Sequence, residues 1–152
     1  MNSEMKYWAI HLNPEIWNYR RDLTENTTGM YKITLLHEML IKKGDKGVLW
    51  ISGEKSGIYS LVDILSNPYK SIFKYDILKK YAYKKRKFIG EHTVIDIAFS
   101  KKLLSNPVSR NNILQNNLLN DLQAFNNPQG LNTFKLTEEQ YKEILNLINE
   151  QT

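Results

Sequence analysis

The chain has 152 residues, 41% of them apolar, with three tryptophans, nine tyrosines, five phenylalanines and no cysteine, which is enough for one domain, residues 1–152, with a real core. Without cysteine there is no disulfide, thiolate nucleophile or zinc–thiolate site, which fits a reducing, cytoplasmic setting. No apolar run reaches transmembrane length and no signal peptide is visible, so no membrane partner is expected. The formal charge of +5 is uneven: KKYAYKKRK at residues 79–87 holds six of the 21 basic side chains and no acid, leaving 15 basic against 16 acidic residues elsewhere.

Lys6 to Leu12 predicts a mostly buried first strand. Asn13-Pro14 then reads as a helix start, asparagine as cap and proline at the first helical position, with the helix carrying Glu15 to Leu23. Asn26 to Gly29 reads as loop. A second helix is expected over Tyr31 to Lys43, where Leu35, Leu36, Met39 and Leu40 recur at helical spacing and Gly44-Asp45 marks the stop. Val48–Ser52 and Ile58–Ile64 are β-branched and aromatic runs. They are joined by Gly53-Glu54-Lys55-Ser56-Gly57, a hairpin with a five-residue loop. The first of these runs is apolar on every side, so it is expected at the centre of its sheet.

Asn67-Pro68-Tyr69 breaks the second hairpin strand, and Ile72 to Lys80 reads as loop with a helical turn. Phe88 to Phe99 predicts a strand through Val94, Ile95, Ile97 and Phe99, followed by a connector over Ser100 to Pro107. Asn111 to Leu122 has a helical stripe of Ile113, Leu114, Leu118, Leu119 and Leu122, although its asparagines lower helix propensity. Pro128-Gln129-Gly130 is a turn and Leu131 to Leu136 a short strand. Thr137 opens a final helix with a Thr-x-x-Gln capping box ending at Gln140, and Tyr141, Ile144, Leu145 and Ile148 form its buried stripe. Strands separated by uneven helices, with a central hairpin, point to an α+β fold with a mixed, strongly curved sheet or small barrel.

The inventory of chemical groups argues against catalysis. His11, His37 and His92 lie far apart without metal-ligand spacing, so no metal is expected, and no cofactor either: there is no Gly-x-Gly-x-x-Gly and no phosphate-binding glycine–lysine loop. No Gly-x-Ser-x-Gly elbow occurs, and Glu138-Glu139 is first-turn helix charge. The basic run is the opposite case. Lys79, Lys80, Lys84, Lys85, Arg86 and Lys87 on an otherwise neutral body form the footprint of a polyanion, with a solvated lysine loop as the plainer alternative. Trp17, Tyr19, Tyr31, Trp50, Tyr59, Tyr69, Phe73 and Tyr75 are each core residues by default. Several together beside a basic run also suit stacking on an extruded base.

Tyr7-Trp8-Ala9-Ile10 followed by Asn13-Pro14 and Trp17 resembles the opening of the EVE domain. So do Lys43-Gly44-Asp45, Leu49-Trp50-Ile51-Ser52-Gly53, Gly57-Ile58-Tyr59 and Asn67-Pro68-Tyr69. The end resembles it too, in Asn127-Pro128-Gln129-Gly130-Leu131-Asn132-Thr133-Phe134 running into Leu136-Thr137-Glu138-Glu139-Gln140-Tyr141. The order and spacing hold over nearly the whole chain, in the spelling of EVE domains associated with modification-dependent restriction. The resemblance implies a PUA-like curved sheet or pseudo-barrel flanked by helices, in the superfamily of the YTH domains. It also implies a reader of a modified base, in particular 5-methyl- or 5-hydroxymethylcytosine in DNA, often placed beside a separate nuclease partner.

By family position the base pocket would use Asn13 on the base edge, Trp17 and Trp50 as aromatic walls and Ser52 as a polar contact. Tyr31 falls at the tyrosine of the family's Arg-Asn-Tyr-Gln stretch, and Tyr69 and Phe73 near its variable aromatic loop. The chain departs from that stretch at Gly29 and Met30, which replace its arginine and asparagine, and at Thr28, where some relatives carry tryptophan. Two other readings stay open: an RNA-binding PUA-like module, and a protein-interaction or small-ligand module using the same aromatics.

Overall fold

The computed structural model describes residues 4–33, 40–122 and 132–151. The first strand, β1 (Tyr7–Leu12), is followed by a short helix α1 (Tyr19–Glu25), an edge strand β2 (Thr28–Lys32), and the hairpin of β3 (Lys46–Ile51) and β4 (Gly57–Ile64). Then come β5 (Tyr69–Ile72), α2 (Tyr75–Tyr81), a 3₁₀ turn at Lys85–Phe88, and the long β6 (Glu91–Lys102). The chain ends with β7 (Val108–Ser109), α3 (Arg110–Leu114), β8 (Thr133–Leu136) and α4 (Glu138–Gln151). The strands form one mixed sheet in the order β2-β6-β4-β3-β1-β8, with β5 added to β6 and β7 to β4. β1 and β3 run parallel and every other pair antiparallel.

The central position expected for β3 is observed, and it divides the interior in two. Successive strand side chains point to opposite faces. Leu49 and Ile51 therefore join one apolar cluster with Trp8, Ile10, Trp17, Tyr31, Val94 and Ile97. Val48 and Trp50 join the other, with Ala9, Ile58, Val108, Phe134 and the Tyr141, Ile144 and Ile148 stripe of α4. The parallel β1–β3 ladder is tight: Gly47 lies opposite Trp8, and a Cβ there would sit 2.3 Å from the Trp8 carbonyl oxygen.

Several elements differ from expectation for identifiable reasons. Asn13 caps only a single turn, its Oδ1 accepting from the Glu15 amide at 2.9 Å. The chain is then diverted because Trp17 bridges Ala82 and the Asn18 amide donates to the Tyr81 carbonyl at 2.7 Å. The helix starts afresh at Tyr19, with Asn18 Oδ1 accepting from the Arg21 amide. Tyr31, expected to open a helix, lies instead in β2, paired with Ile95 of β6. Leu35, Leu36 and Met39 of that expected helix, and the Pro128-Gln129-Gly130 turn, lie outside the described residues. Tyr69 ends no strand but begins β5, and the ambiguous stretch after it contains α2. Phe88 belongs to the 3₁₀ turn, and β6 runs on from Glu91 to Lys102.

The asparagine-rich helix is cut to Arg110–Leu114. Asn116 Oδ1 accepts from the Leu118 amide, the local competition with helix that asparagine offers. Leu118 consequently stands 45% exposed while Ile113 and Leu119 are buried. The last helix forms as expected: Thr137 Oγ1 accepts from the Gln140 amide at 3.1 Å, and Gln140 Oε1 accepts from the Thr137 amide at 2.9 Å. No helix among the described residues is long and apolar enough to cross a membrane.

Gly44-Asp45 does more than end an element. Gly44 turns the chain with φ at 99°, and the buried Asp45 carboxylate accepts from the Lys6 amide, the Trp8 indole and the Lys42 amide at 3.0–3.1 Å. It thereby ties the starts of β1 and β3 together. Asp45→Ala leaves buried donors unsatisfied, so it should destabilise the fold by about 3 kcal/mol in urea titration; a loss under about 0.5 kcal/mol would contradict this role.

Candidate nucleic-acid interface

On the α1–α2 side of the sheet, one carboxylate organises the aromatic side chains. Asp22 comes from the first turn of α1 and is 3% exposed. Its Oδ2 accepts from Trp17 Nε1 at 2.9 Å and from the Tyr31 hydroxyl at 2.6 Å, while Oδ1 accepts from Asn26 Nδ2 at 2.9 Å. Asn26 Nδ2 also reaches the Tyr81 hydroxyl, which donates to Glu25 at 2.8 Å. Burial and the neighbouring Asp22 charge push the Tyr31 hydroxyl well above the ordinary tyrosine pKa. The hydrogen bond from Tyr81, followed by that from Arg21, holds Glu25 below the usual carboxylate range.

Around Trp17 the rings close into a cluster. Its centroid lies 5.0 Å from Phe88, 5.8 Å from Tyr81, 6.3 Å from Phe73 and 6.4 Å from Tyr31. Phe73 meets Phe88 edge-on at 5.3 Å. On one side of the cluster opens a cavity of about 290 Å³. The end of β1 supplies His11, Leu12 and Asn13; β2 supplies Met30, Tyr31 and Lys32; Ile16, Trp17, Phe73, Lys87, Phe88 and Asn132 complete the wall. On the other side, a second cavity of about 330 Å³ reaches Asp22, Asn26 and Tyr81 and shares Trp17, Met30 and Phe73 with the first.

The polar part of the first cavity is cross-braced. Asn132 accepts the His11 amide through its carbonyl at 2.9 Å and donates from Nδ2 to the Lys32 carbonyl at 3.0 Å, so it spans from β1 to β2. The Nε2 atom of His11 is shielded from solvent. Asn13 spends its Oδ1 on the local turn, which leaves its amide N–H groups without a partner among the described residues. Lys32 lies 4.6 Å above the Phe88 ring and donates to the Lys87 carbonyl at 2.8 Å. Burial first, and then the charge of Lys87, lower its pKa. Flat rings, fixed amides and two lysines can together hold a planar heterocycle attached to an anionic backbone.

Asn13, Trp17, Tyr31 and Phe73 are brought together on this cavity. Three other sequence-predicted residues are not. Trp50 is 1% exposed in the opposite apolar cluster, because strand parity turns it away from Leu49 and Ile51. Ser52 does not line the cavity, and its amide donates to the Leu12 carbonyl at 3.3 Å. Tyr69 is 39% exposed on β5 and donates to Asp96 at 2.7 Å, with its pKa pushed up to about 12 by burial and that contact. Of the basic residues, Lys79 and Lys80 lie in the last turn of α2, Lys84 precedes the 3₁₀ turn and Lys85, Arg86 and Lys87 lie in it; all six are exposed and Lys87 lines the cavity.

Phe88, Lys32, His11 and Asn132 were not singled out from sequence. Phe88 directly follows the basic run and Asn132 falls in the Asn127–Phe134 stretch, the two signals that point to them. No group of histidine, aspartate and glutamate among the described residues can hold a metal ion.

The family model described as the EVE domain matches residues 6–147. The chain belongs to the EVE domain family. Its curled mixed sheet and helices are the PUA-like α+β fold of the EVE and YTH domains. A hypothetical protein from Leishmania major superposes with a TM-score of 0.69 at 16% identity, over 97% of both chains. Human THYN1, solved in complex with DNA containing 5-methylcytosine, gives 0.64 at 16% identity, over 93% of this chain and 96% of its own. The YTH domain of the Zygosaccharomyces rouxii MRB1 protein, in complex with N6-methyladenosine RNA, gives 0.57 at 12% identity, over 97% and 88%. No curated protein matches the chain.

The Asp22–Tyr31 bond in this EVE domain has a pH signature. Tyr31 holds its proton more tightly folded than unfolded, so its contribution to stability is complete below the ordinary tyrosine pKa of 10.0 and is lost as pH rises from there toward the higher folded value. Tyr31→Phe should cost about 2 kcal/mol at neutral pH, and its deficit relative to the parent should shrink above about pH 10. Denaturant titrations of both proteins from neutral to alkaline pH measure this; a deficit that is constant throughout would contradict it.

Proposed function

We propose that this EVE domain is a non-catalytic reader of a modified nucleobase, most directly 5-methyl- or 5-hydroxymethylcytosine in DNA. It takes the base flipped from the duplex and serves modification-dependent restriction together with a separate nuclease. The observation that carries this reading is the aromatic cavity itself. At about 290 Å³ it lies at the small end of ligand pockets, about 300–1,000 Å³, and suits one heterocyclic base. Trp17, Phe73 and Phe88 offer ring faces, the Asn13 amide offers a donor to the base edge, and Lys32 and Lys87 place positive charge at the wall.

Family membership supports the reading, as does the 5-methylcytosine DNA bound by the similarly folded THYN1. Flipping costs a few kcal/mol of stacking and pairing, which ring contacts and edge hydrogen bonds inside the cavity offset. The exposed lysines supply sequence-independent attraction to phosphates. Recognition of methyladenosine in RNA is the second reading, favoured by the YTH neighbour's bound RNA.

Fluorescence anisotropy distinguishes the two. Duplexes carrying one cytosine, 5-methylcytosine, 5-hydroxymethylcytosine or N6-methyladenine are compared with matching RNA. A preference of tenfold or more for one modified cytosine, about 1.4 kcal/mol, is expected. Equal binding to all probes would overturn the base-reader function, and preference for methylated RNA would select the second reading. Phe88→Leu keeps the site apolar but removes a ring face, so it should lower the modified-to-unmodified ratio severalfold. Replacing Lys84, Lys85 and Arg86 by alanine should weaken every duplex alike and reduce the salt slope by up to about 0.9 for each phosphate that is no longer neutralised.

A further inference from the structure

A second concavity lies beyond the Asn13–Pro14 turn. Asn13 lines the aromatic cavity, whereas Pro14 packs on Gly53 of the hairpin loop, where a Cβ would lie 3.2 Å from Pro14 Cγ. Gly53 in turn borders a groove of about 460 Å³ lined by Arg20, Lys55, Tyr59 and Arg110, with Glu54 as the one carboxylate in its wall. The cations here are held in an unusual way. The Arg20 guanidinium lies 5.4 Å from the Tyr19 ring centroid and 5.8 Å from that of Tyr59, and the two rings meet edge-on at 5.0 Å. Stacking fixes the guanidinium plane without consuming its N–H groups.

Neither Arg20 nor Lys55 takes part in an ion pair among the described residues, where Arg21, Lys46 and Lys142 do. The loop that carries Lys55 is pinned. The Tyr59 hydroxyl donates to the Lys55 carbonyl at 2.6 Å, and the Arg110 amide donates to the Ser56 carbonyl at 3.1 Å. β7 pairs Ser109 with Gly57 at the same place. A cation paired to a carboxylate is largely neutralised, but the Arg20 guanidinium, stacked on two ring faces, keeps its charge for a ligand. A fixed, concave, cationic wall matches a phosphodiester chain, and arginine's planar fork suits two phosphate oxygens.

We infer that this groove is a second backbone-phosphate site for nucleic acid, separate from the basic run and on the far side of the Asn13–Pro14 turn from the base cavity. Duplex DNA gripped on both flanks of the flipped nucleotide is held against the strain of extrusion. The inference rests on the reading of the cavity as a base pocket only for which nucleotide the groove accompanies; phosphate binding in the groove is measured independently.

The test is the double variant Arg20→Gln/Lys55→Gln, with Lys55→Glu as a single exposed change should the double variant melt early. Affinity is measured between about 50 and 200 mM salt for unmodified and modified duplexes. The slope of log K against log salt should fall in magnitude by about 1.8 for the double variant, about 0.9 for each phosphate released, with the modified-to-unmodified ratio unchanged. An unchanged slope overturns the groove and leaves the base reading standing. A reduced slope in a protein that shows no modified-base preference upholds the groove while the base reading falls. Absence of any binding by the parent protein overturns both.

Discussion

Asp22 places a carboxylate among aromatic rings, and what keeps it there also builds the site. A buried carboxyl group is costly unless its oxygens are satisfied, and here the donors are an indole, a phenol and an amide. Each donor belongs to a different local element: the turn before α1, strand β2 and the end of α1. Satisfying one side chain therefore orients Trp17 and Tyr31 together and holds β2 against α1. The Asn26–Tyr81–Glu25 chain extends the same constraint to α2, whose end leads into the basic segment. Aromatic walls and cationic rim are thus coupled to one polar centre and not assembled from independent parts.

The two-faced sheet separates this site from its support. Trp50, Phe134 and the α4 stripe fill the far face and give β3 its central, fully covered position. The near face holds the rings that border both cavities. Asp45 plays on the strand starts the part that Asp22 plays among the rings, joining Trp8 and two backbone amides. Two buried carboxylates with indole donors thus fix opposite ends of the scaffold: one sets the register of β1 against β3 and the other the aromatic cluster.

What the sequence made legible follows the range of the interactions involved. The hairpin, the Thr137 capping box and the α4 stripe depend on neighbours within a few residues, and they stand where expected. β2 and β5 escaped because each is short and exists by pairing with β6, a partner tens of residues away. The false helix start at Asn13 has the same cause: Trp17 and Asn18 are captured by Tyr81 and Ala82. Trp50 was misplaced for a different reason. A strand apolar on both faces carries no alternation to say which side a residue takes, so a motif can mark it without revealing its direction. Phe88 was hidden by the lysines before it, since charge patterning drew attention to the solvated part of the turn and away from its one buried ring.

The departures at Gly29 and Met30 are intelligible in this frame. A Cβ at position 29 would fall 2.8 Å from Tyr31 Cε2, so glycine allows the Tyr31 ring to fold back over its own strand and reach Asp22. Any larger residue there would have to move the ring and strain the shortest bond to the carboxylate. Met30, the next residue, shares with Trp17 and Phe73 the partition between the two cavities. The rings are held by hydrogen bonds and edge contacts, whereas a methionine with three rotatable bonds is the adaptable member of that wall. If the cavity receives a base, its rigid faces orient the ring, and the space left for a substituent is set where the wall can yield, at Met30. Stacking strength and substituent selectivity then reside in different side chains.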